Sequence, residues 1–483
     1  MIQFINTLGH KLEQFEPITE GEVGIYTCGP TVWNYSHIGN YRTFLFEDLL
    51  KRFLKYRGFK VNHVMNLTDV DDRIIKVCNE QGIDLKTFTE KYAKAFFEDM
   101  DFLLVDKADH YPRATEYINE MVEIIQGLLD RKIAYRGEDG SIYFSLSKFP
   151  HYGELSGIKQ AELKVGARVH VDDYGKDSAE DFALWKAWDE KDGKIFWETP
   201  LGKGRPGWHI ECSAMSMKLL GEHFDVHTGG VDNIFPHHEN EIAQSEGFTG
   251  QKFVNYWLHC EHLLINESKM AKRLGNFVTV RDLRERGVDG QTLRYFLLSG
   301  HYRSQLNFAE NSLEQASGSV KRINEFVMRL SDSMSSKNRD EEGPLDSEVL
   351  SLVEESRAIY IESLDHDLDA PSALATVFEL IAEGNRLLDR GNLGGEAIRA
   401  LLDFMRKDFD SLFAVIYPSG ASALSELEAK LLEERKTARL SKDWKSSDEL
   451  RKELLASGVE VQDTPDGQKW RRISKEPKSR IAN

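Results

Sequence analysis

The chain has 483 residues, 41% hydrophobic and 29% charged, with mean hydropathy −0.46 and net charge −18. That length implies several domains with ample core, and no apolar run approaches a membrane span. The acidic balance excludes nucleic-acid binding spread over the whole surface but leaves room for a local basic patch. The N-terminal MIQFINTLGHKLEQF lacks a basic-then-apolar signal, so a cytoplasmic location is expected. Cys28, Cys78, Cys212 and Cys260 are too irregularly spaced for a disulfide framework.

In chain order, GEVGIYTCGP predicts a short strand ended by a Gly-Pro breaker. TFLFEDLLKRFLKYRGF carries apolar residues at helical spacing and is closed by Gly58. FKVNHVMNLTDVDD predicts a second strand running into a polar turn. Strand, helix, strand reads as a βαβ unit with a parallel sheet, whose ligands sit at the carboxyl ends of the strands. Cys28-Gly29-Pro30-Thr31 and Asn66-Leu67-Thr68-Asp69 both fall there. From about Asp109 to Lys203 the pattern changes to a helix and then hairpin-like strands around GEDGSIYFSLSKF. The βαβ pattern resumes near Trp208, which marks this block as an insertion. Beyond Asn311 the pattern is almost wholly helical, with Ser331–Asp346 expected as a polar linker. From Arg435 the charge changes sign, with thirteen Lys/Arg against eight Asp/Glu, and Trp444 and Trp470 lie among them.

The residues GWHIECSAM and GGVDNIFPHHENEIAQ offer Cys212, His237 and Glu241 as ligands for one metal. His237 and Glu241 stand four apart in a run that reads as helix, with Pro236 suited to its first position. A thiolate, an imidazole and a carboxylate suit zinc better than hard all-oxygen ions. Cys28 is the obvious fourth donor. The alternative, buried hydrophobic cysteines and hydrogen-bonded histidines, stays open on residue types alone. Two further stretches could handle phosphate. SHIGN at Ser36–Asn40 places an imidazole and backbone amides at a helix start. ESKMAKRLGN at Glu267–Asn276 is a basic loop that would otherwise be a solvated surface segment.

Taken together and in order, YTCGPTVWNYSHIGN, MNLTDVDD, DFALWK, GRPGWHIECSAM, GGVDNIFPHHENEIAQ, YWLH, KMAKRLGN, HYRSQLNF and DTPDGQKW resemble the class I aminoacyl-tRNA synthetases, and within them the cysteinyl-tRNA synthetase family. The resemblance covers essentially the whole chain. It implies an α/β fold: a Rossmann-type parallel-sheet catalytic domain with an inserted subdomain, a helical bundle and a small C-terminal tRNA-binding domain. The implied segments are 1–112 and 205–262 for the two catalytic halves and 113–204 for the insertion. They continue with 263–318 for the basic-loop and tRNA-stem region, 319–423 for the bundle and 424–483 for an anticodon-binding domain.

The resemblance also places the family's zinc ligands on Cys28, Cys212, His237 and Glu241, its phosphate contacts on His37, Asn40, Lys269 and Lys272, and its amino-acid contacts on Gly29, Thr68 and Trp208. Asp232 is expected to accept from the ribose of ATP or else to shape a turn. Two departures stand out. The usual H-I-G-H reads HIGN, so Asn40 is an amide that can donate but carries no charge. The usual K-M-S-K-S reads KMAKR, so Ala271 and Arg273 replace two hydroxyls while Lys269 and Lys272 remain.

The implied activity is ATP-dependent ligation of L-cysteine to tRNA(Cys) through a cysteinyl-adenylate, with one Zn²⁺ per subunit and Mg²⁺ on the triphosphate. Partners are tRNA(Cys), ATP and L-cysteine, with no membrane, and a monomer is expected. Trp444, Trp470, Arg471 and Arg472 offer stacking and cationic groups for unpaired anticodon bases, against the alternative of core tryptophans and a solvated basic tail. Competing readings are a cysteine:amino-sugar ligase of the same fold, a zinc hydrolase with Glu239 or Glu241 as base, and a non-catalytic tRNA-binding module.

Overall fold

Four parallel strands, buried over most of their length, form the central sheet. They are β1 (Glu22–Thr27), β2 (Lys60–Met65), β3 (Phe224–Gly230) and β4 (Val254–Cys260), in spatial order β4-β3-β1-β2 and parallel throughout. The structure is a computed structural model that describes all residues except 159–180, 271–275, 310, 336–342, 392, 419–425, 465, 466 and 473–483. Helix α1 (Ile38–Tyr56) joins β1 to β2, α2 (Trp208–Leu220) leads into β3, and α3 (Glu239–Thr249) joins β3 to β4. Strand order reverses between β1 and β3, and that is where an open α/β sheet forms its ligand crevice.

Between the two halves lies a five-stranded antiparallel sheet formed by Ala134–Arg136, Ile142–Phe144, Phe182–Ala187, Gly202–Pro206 and Trp197–Thr199. An N-terminal hairpin, Gln3–Asn6 with Lys11–Gln14, shields the free edge of β4. There the Thr7 amide donates to Trp257 O at 2.8 Å, and Asn6 Oδ1 accepts from the Trp257 amide at 3.0 Å.

Helix α4 (Gly290–Leu298) precedes a bundle of α5 (Ser312–Ser335), α6 (Asp346–Asp365), α7 (Ala370–Arg390) and α8 (Gly395–Asp403). The polar linker expected over Ser331–Asp346 is shorter than its composition predicts. Val327 and Leu330 stay buried and Met334 packs on the same core, so α5 continues to Ser335. At the other end Asp346 opens α6 and accepts from the amides of Gly343 at 2.9 Å and Gly394 at 2.7 Å. The rest of that stretch, 336–342, lies outside the described residues. Beyond the bundle, α9 (Glu426–Leu440) and α10 (Trp444–Ala456) pack with a hairpin of Val459–Thr464 and Gly467–Arg472.

One buried ion pair ties bundle to sheet. Arg294 of α4 meets Asp48 of α1 at 2.5 Å, both side chains inaccessible to solvent. Its remaining donors reach the carbonyls of Leu103, Leu412 and Phe413. Asp48 also accepts from Arg52 at 2.8 Å and from the Asp106 amide at 2.8 Å. Asp48→Ala would leave the Arg294 charge buried without its carboxylate, and breaking such a pair costs about 3–5 kcal/mol. The expected result is a correspondingly lower midpoint in urea, and an unchanged midpoint would contradict the hub.

Candidate active site

Cys28 and Gly29 leave the carboxyl end of β1 directly beside the end of β2. The Gly29 amide donates to Asn66 Oδ1 at 2.9 Å, and Asn66 Nδ2 donates to Thr68 Oγ1 at 3.1 Å. A Cβ on Gly29 would lie 1.8 Å from the Asn66 carbonyl oxygen, so only glycine permits this approach. Gly29 and Thr68 therefore share one wall.

From the other half of the sheet come Cys212 on α2 and His237 and Glu241 at the start of α3. The chain leaves β3 through Gly229 and Gly230, turns through an extended Phe235 and a cis Pro236, and resumes helical geometry there. The donor atoms of Cys28, Cys212, His237 and Glu241 all lie within 4.8 Å of one another. Burial pushes the Cys28 thiol and the Glu241 carboxyl up and the His237 imidazole down. Burial alone thus holds these three groups neutral, whereas a divalent cation among the four donors would charge the thiols and the carboxylate together. The donor set fits zinc in chemistry and in spacing.

A second set, Cys28, His227, His238 and Glu241, is equally close. The hydrogen bonds separate the two. Glu241 Oε1 faces His237 Nε2 at 3.1 Å, while Oε2 is engaged by His227 Nε2 at 3.0 Å. His237 Nδ1 is paired with His209 Nδ1 at 2.9 Å. An imidazole ligand that presents one nitrogen and is oriented through the other matches His237, with His227 steadying the far oxygen of Glu241. His238 Nε2 stands 3.2 Å from Cys28 Sγ, and its Nδ1 pairs with His259 Nε2 at 2.7 Å. His259 Nδ1 in turn meets Thr7 Oγ1 at 2.7 Å. His227 stacks on Trp257 at 4.5 Å, and Trp208 stacks on His237 at 4.2 Å while remaining 41% exposed.

Sequence reasoning missed this histidine network. His209 and His238 lie inside the motifs it used, and their signal was adjacency to a proposed ligand. Cys78 and Cys260 are buried elsewhere, Cys78 among Ile74 and Phe88 and Cys260 at the end of β4. Glu239 is excluded as a hydrolytic base, because its two oxygens accept from the amides of Gly153 at 2.8 Å and Ser156 at 2.9 Å.

The Ser36–Asn40 stretch and the segment just after the basic loop meet, with His37 bridged to Thr279. His37 caps α1: its Nδ1 accepts from the Asn40 amide at 3.2 Å, and Asn40 Oδ1 accepts from the His37 amide at 3.1 Å. The Ile38 amide donates to Val278 O at 2.9 Å, which ties this cap to the segment that follows the basic loop. Lys269 reaches both carboxylate oxygens of Asp232 at 2.9 Å, with His262 at 3.5 Å from one of them. Lys272, Ala271 and Arg273 lie outside the described residues. In the tail, Trp444 is 56% exposed beneath Arg439, so it is no core residue. The side chains of Trp470, Arg471 and Arg472 lie outside the described residues, although their backbone forms a strand.

Residues 14–318 match the tRNA synthetases class I (C) catalytic domain, 359–412 the DALR domain, and 421–471 the cysteinyl-tRNA ligase anticodon binding domain. The chain is 46% identical to the cysteine–tRNA ligase of Chlamydia muridarum, over 97% of this chain and 99% of that protein. It is also 46% identical to that of Brachyspira hyodysenteriae, over 98% and 99%. The chain belongs to the cysteine–tRNA ligase family.

Its fold is shared more widely. Mycobacterium tuberculosis methionyl-tRNA synthetase in complex with methionyl-adenylate aligns with a TM-score of 0.63 at 13% identity, over 83% of this chain and 92% of that one. The Agrobacterium radiobacter LeuRS–tRNA–LeuAMS complex aligns at 0.59 and 9%, over 83% and 85%. No helix among the described residues is long and apolar enough to cross a membrane.

Burial holds His209, His227 and His259 down to about 3, whereas an exposed histidine titrates near 6.5. In histidine-ring NMR from pH 8 to 5, these three should keep their neutral shifts. His151, raised by its hydrogen bond to Glu154, should take up its proton. Titration of His227 or His259 near pH 6.5 would show that the network is open to solvent.

Proposed function

We infer that this chain activates L-cysteine with ATP and transfers it to tRNA(Cys). The observation that carries the reading is the buried meeting of Cys28, Cys212, His237 and Glu241 at the switch point, in a family member with a cysteinyl anticodon domain. The catalytic fold is taken as segments 1–112 and 205–262, with 113–204 inserted, 263–318 as the loop and stem region, 319–423 as the bundle and 424–483 as the tail. A cytoplasmic monomer completes the proposal.

The enzyme must tell cysteine from serine, and a shape-only pocket separates such near-isosteres by about 1–3 kcal/mol. Zinc held by the four residues would supply a soft Lewis acid that prefers a thiolate and lowers a thiol pKa from about 8.5. Gly29, Thr68 and Trp208 hold the amino acid beside them. Attack of the cysteine carboxylate on the α-phosphate releases pyrophosphate, with charge building on phosphate oxygens. His37, Asn40, Lys269 and Lys272 neutralise or donate to those oxygens, and Mg²⁺ accompanies ATP.

Asn40 serves twice in this reading. Its Oδ1 caps α1, which leaves Nδ2 as the donor that replaces the second histidine of the usual motif. Asp232 is reserved for the ribose hydroxyls, so Lys269 must exchange Asp232 for phosphate when ATP enters. The pair is exposed, 59% and 66%, and such pairs are worth about 0–1 kcal/mol, so the exchange is cheap.

Protein purified without added metal should contain one zinc per chain. Alanine at Cys78 or Cys260 should leave that content unchanged. Cys212→Ser should reduce it and damage cysteine activation severely, and wild-type activation in that variant would remove zinc as the selector.

Removing the tail from Leu424 takes away Trp444, Trp470, Arg471 and Arg472 but none of the site. Cysteine-dependent ATP–pyrophosphate exchange should survive while tRNA charging falls sharply. Because Lys and Arg contacts to phosphate release counterions, the salt dependence of tRNA binding should flatten as well. Equal charging by both proteins would exclude the tail from tRNA recognition.

A further inference from the structure

Glu211 is a buried carboxylate for which the roles assigned so far have no use. It is 1% exposed, and its Oε2 is a buried atom with no hydrogen-bond partner. Trp208, Glu211 and Cys212 stand at i, i+3 and i+4 of α2 and so share one face. Across the crevice the Thr68 side chain hydrogen-bonds to Glu211, and Thr68 is itself held by Asn66, which also takes the Gly29 amide. Glu211 thus ends a chain of contacts that begins at Gly29, and it is the immediate neighbour of Cys212 in α2.

Helix capping does not account for it. The N-cap residue of α2, Gly207, donates its amide to Leu184 O at 2.9 Å. Burial, and after it the like-signed groups Cys212, Asp69 and Asp71, push the Glu211 carboxyl up, so its charged form lacks a cationic partner in the protein. A buried carboxylate oxygen without a donor is costly, and a native structure that keeps one needs a reason. In the functional reading on which this rests, the substrate thiol points toward Cys28 and Cys212 and its carboxylate toward the α-phosphate of ATP. Gly29, Thr68 and Trp208 carry no charge, so the ammonium of cysteine still lacks a counter-charge.

We propose that Oε2 of Glu211 receives the α-ammonium of the substrate cysteine, so that Glu211 selects an α-amino thiol over one lacking the amine. Thr68, held by Asn66, positions that carboxylate. Glu211→Gln preserves size and the ability to accept from Thr68 while removing the charge.

The test uses the full-length enzyme and two competitive inhibitors of cysteine-dependent ATP–pyrophosphate exchange. Cysteamine carries thiol and ammonium, and 3-mercaptopropionate carries thiol and carboxylate. In Glu211→Gln the KM for cysteine and the Ki of cysteamine should both rise roughly 10- to 100-fold, the range for a hydrogen bond to a charged group. The Ki of 3-mercaptopropionate, the KM for ATP and the zinc content should not move. Glu211→Asp, which keeps the charge on a shorter arm, should restore part of the cysteamine affinity.

An equal rise for both inhibitors would assign Glu211 a purely structural role and overturn the proposal. So would an unchanged cysteamine Ki, or loss of cysteamine affinity in Asp232→Asn but not in Glu211→Gln. A wild-type protein without cysteine-dependent exchange would instead overturn the functional reading itself.

Discussion

The pairing of β1 with β3 brings together segments about 200 residues apart, with Ile25, Tyr26 and Thr27 set against Val226, His227 and Thr228. The functional geometry depends on that register. It sets Cys28, which leaves β1, opposite the turn that follows β3, which carries His237 and leads into α3 with Glu241 in its first turn. It also creates the reversal of strand order at which a crevice must open. Had β3 added beyond β2 instead, β2 would stand between β1 and β3, and those two strands would be about 10 Å apart, too far for the four donors to meet.

Helix α1 transmits the same constraint outward. Its first turn is capped by His37 and Asn40, and its second carries Arg42, which is buried and donates to the carbonyls of Glu261, His262, His301 and Ser304. Farther along, Asp48 receives Arg294. One helix thus fixes the His37–Asn40 cap, the loops at the end of β4 and the junction with the bundle. A buried charged side chain whose two terminal nitrogens are held by carbonyls of several loops is an expensive way to fill a core, because an apolar core of equal volume is often as stable or more so. What the arrangement provides is a fixed relation between loops that have little apolar surface of their own.

Much of this was legible in the sequence, and the reasons are specific. The βαβ reading succeeded because β1, α1 and β2 each carry a clean pattern. The four-donor set was found because each donor sits in a short, chemically distinctive stretch. Residue types offered Cys28 as the fourth donor but left buried, hydrogen-bonded side chains open as an alternative, and the resemblance to a family supplied the reason to prefer a metal site. The histidine network was not legible, since His227 and His259 lie within strands where a histidine reads only as a buried polar residue. Nor was the capping role of Asn40, which depends on how an amide turns back toward His37. The linker after α5 was overestimated because serine-rich composition masked an apolar stripe that ends at Met334.

The site also shows why a buried polar cluster is tolerated where packing would favour hydrophobes. Glu241, His227, His238, His259 and Thr7 form one continuous chain of contacts from the ligand cluster to the N-terminal hairpin, with Cys28 attached through His238. Each member has a partner, which is the condition under which such a network rigidifies instead of destabilising. Neutral imidazoles suit the task. They orient ligands through hydrogen bonds without adding positive charge that would compete with a cation for Cys28 and Glu241.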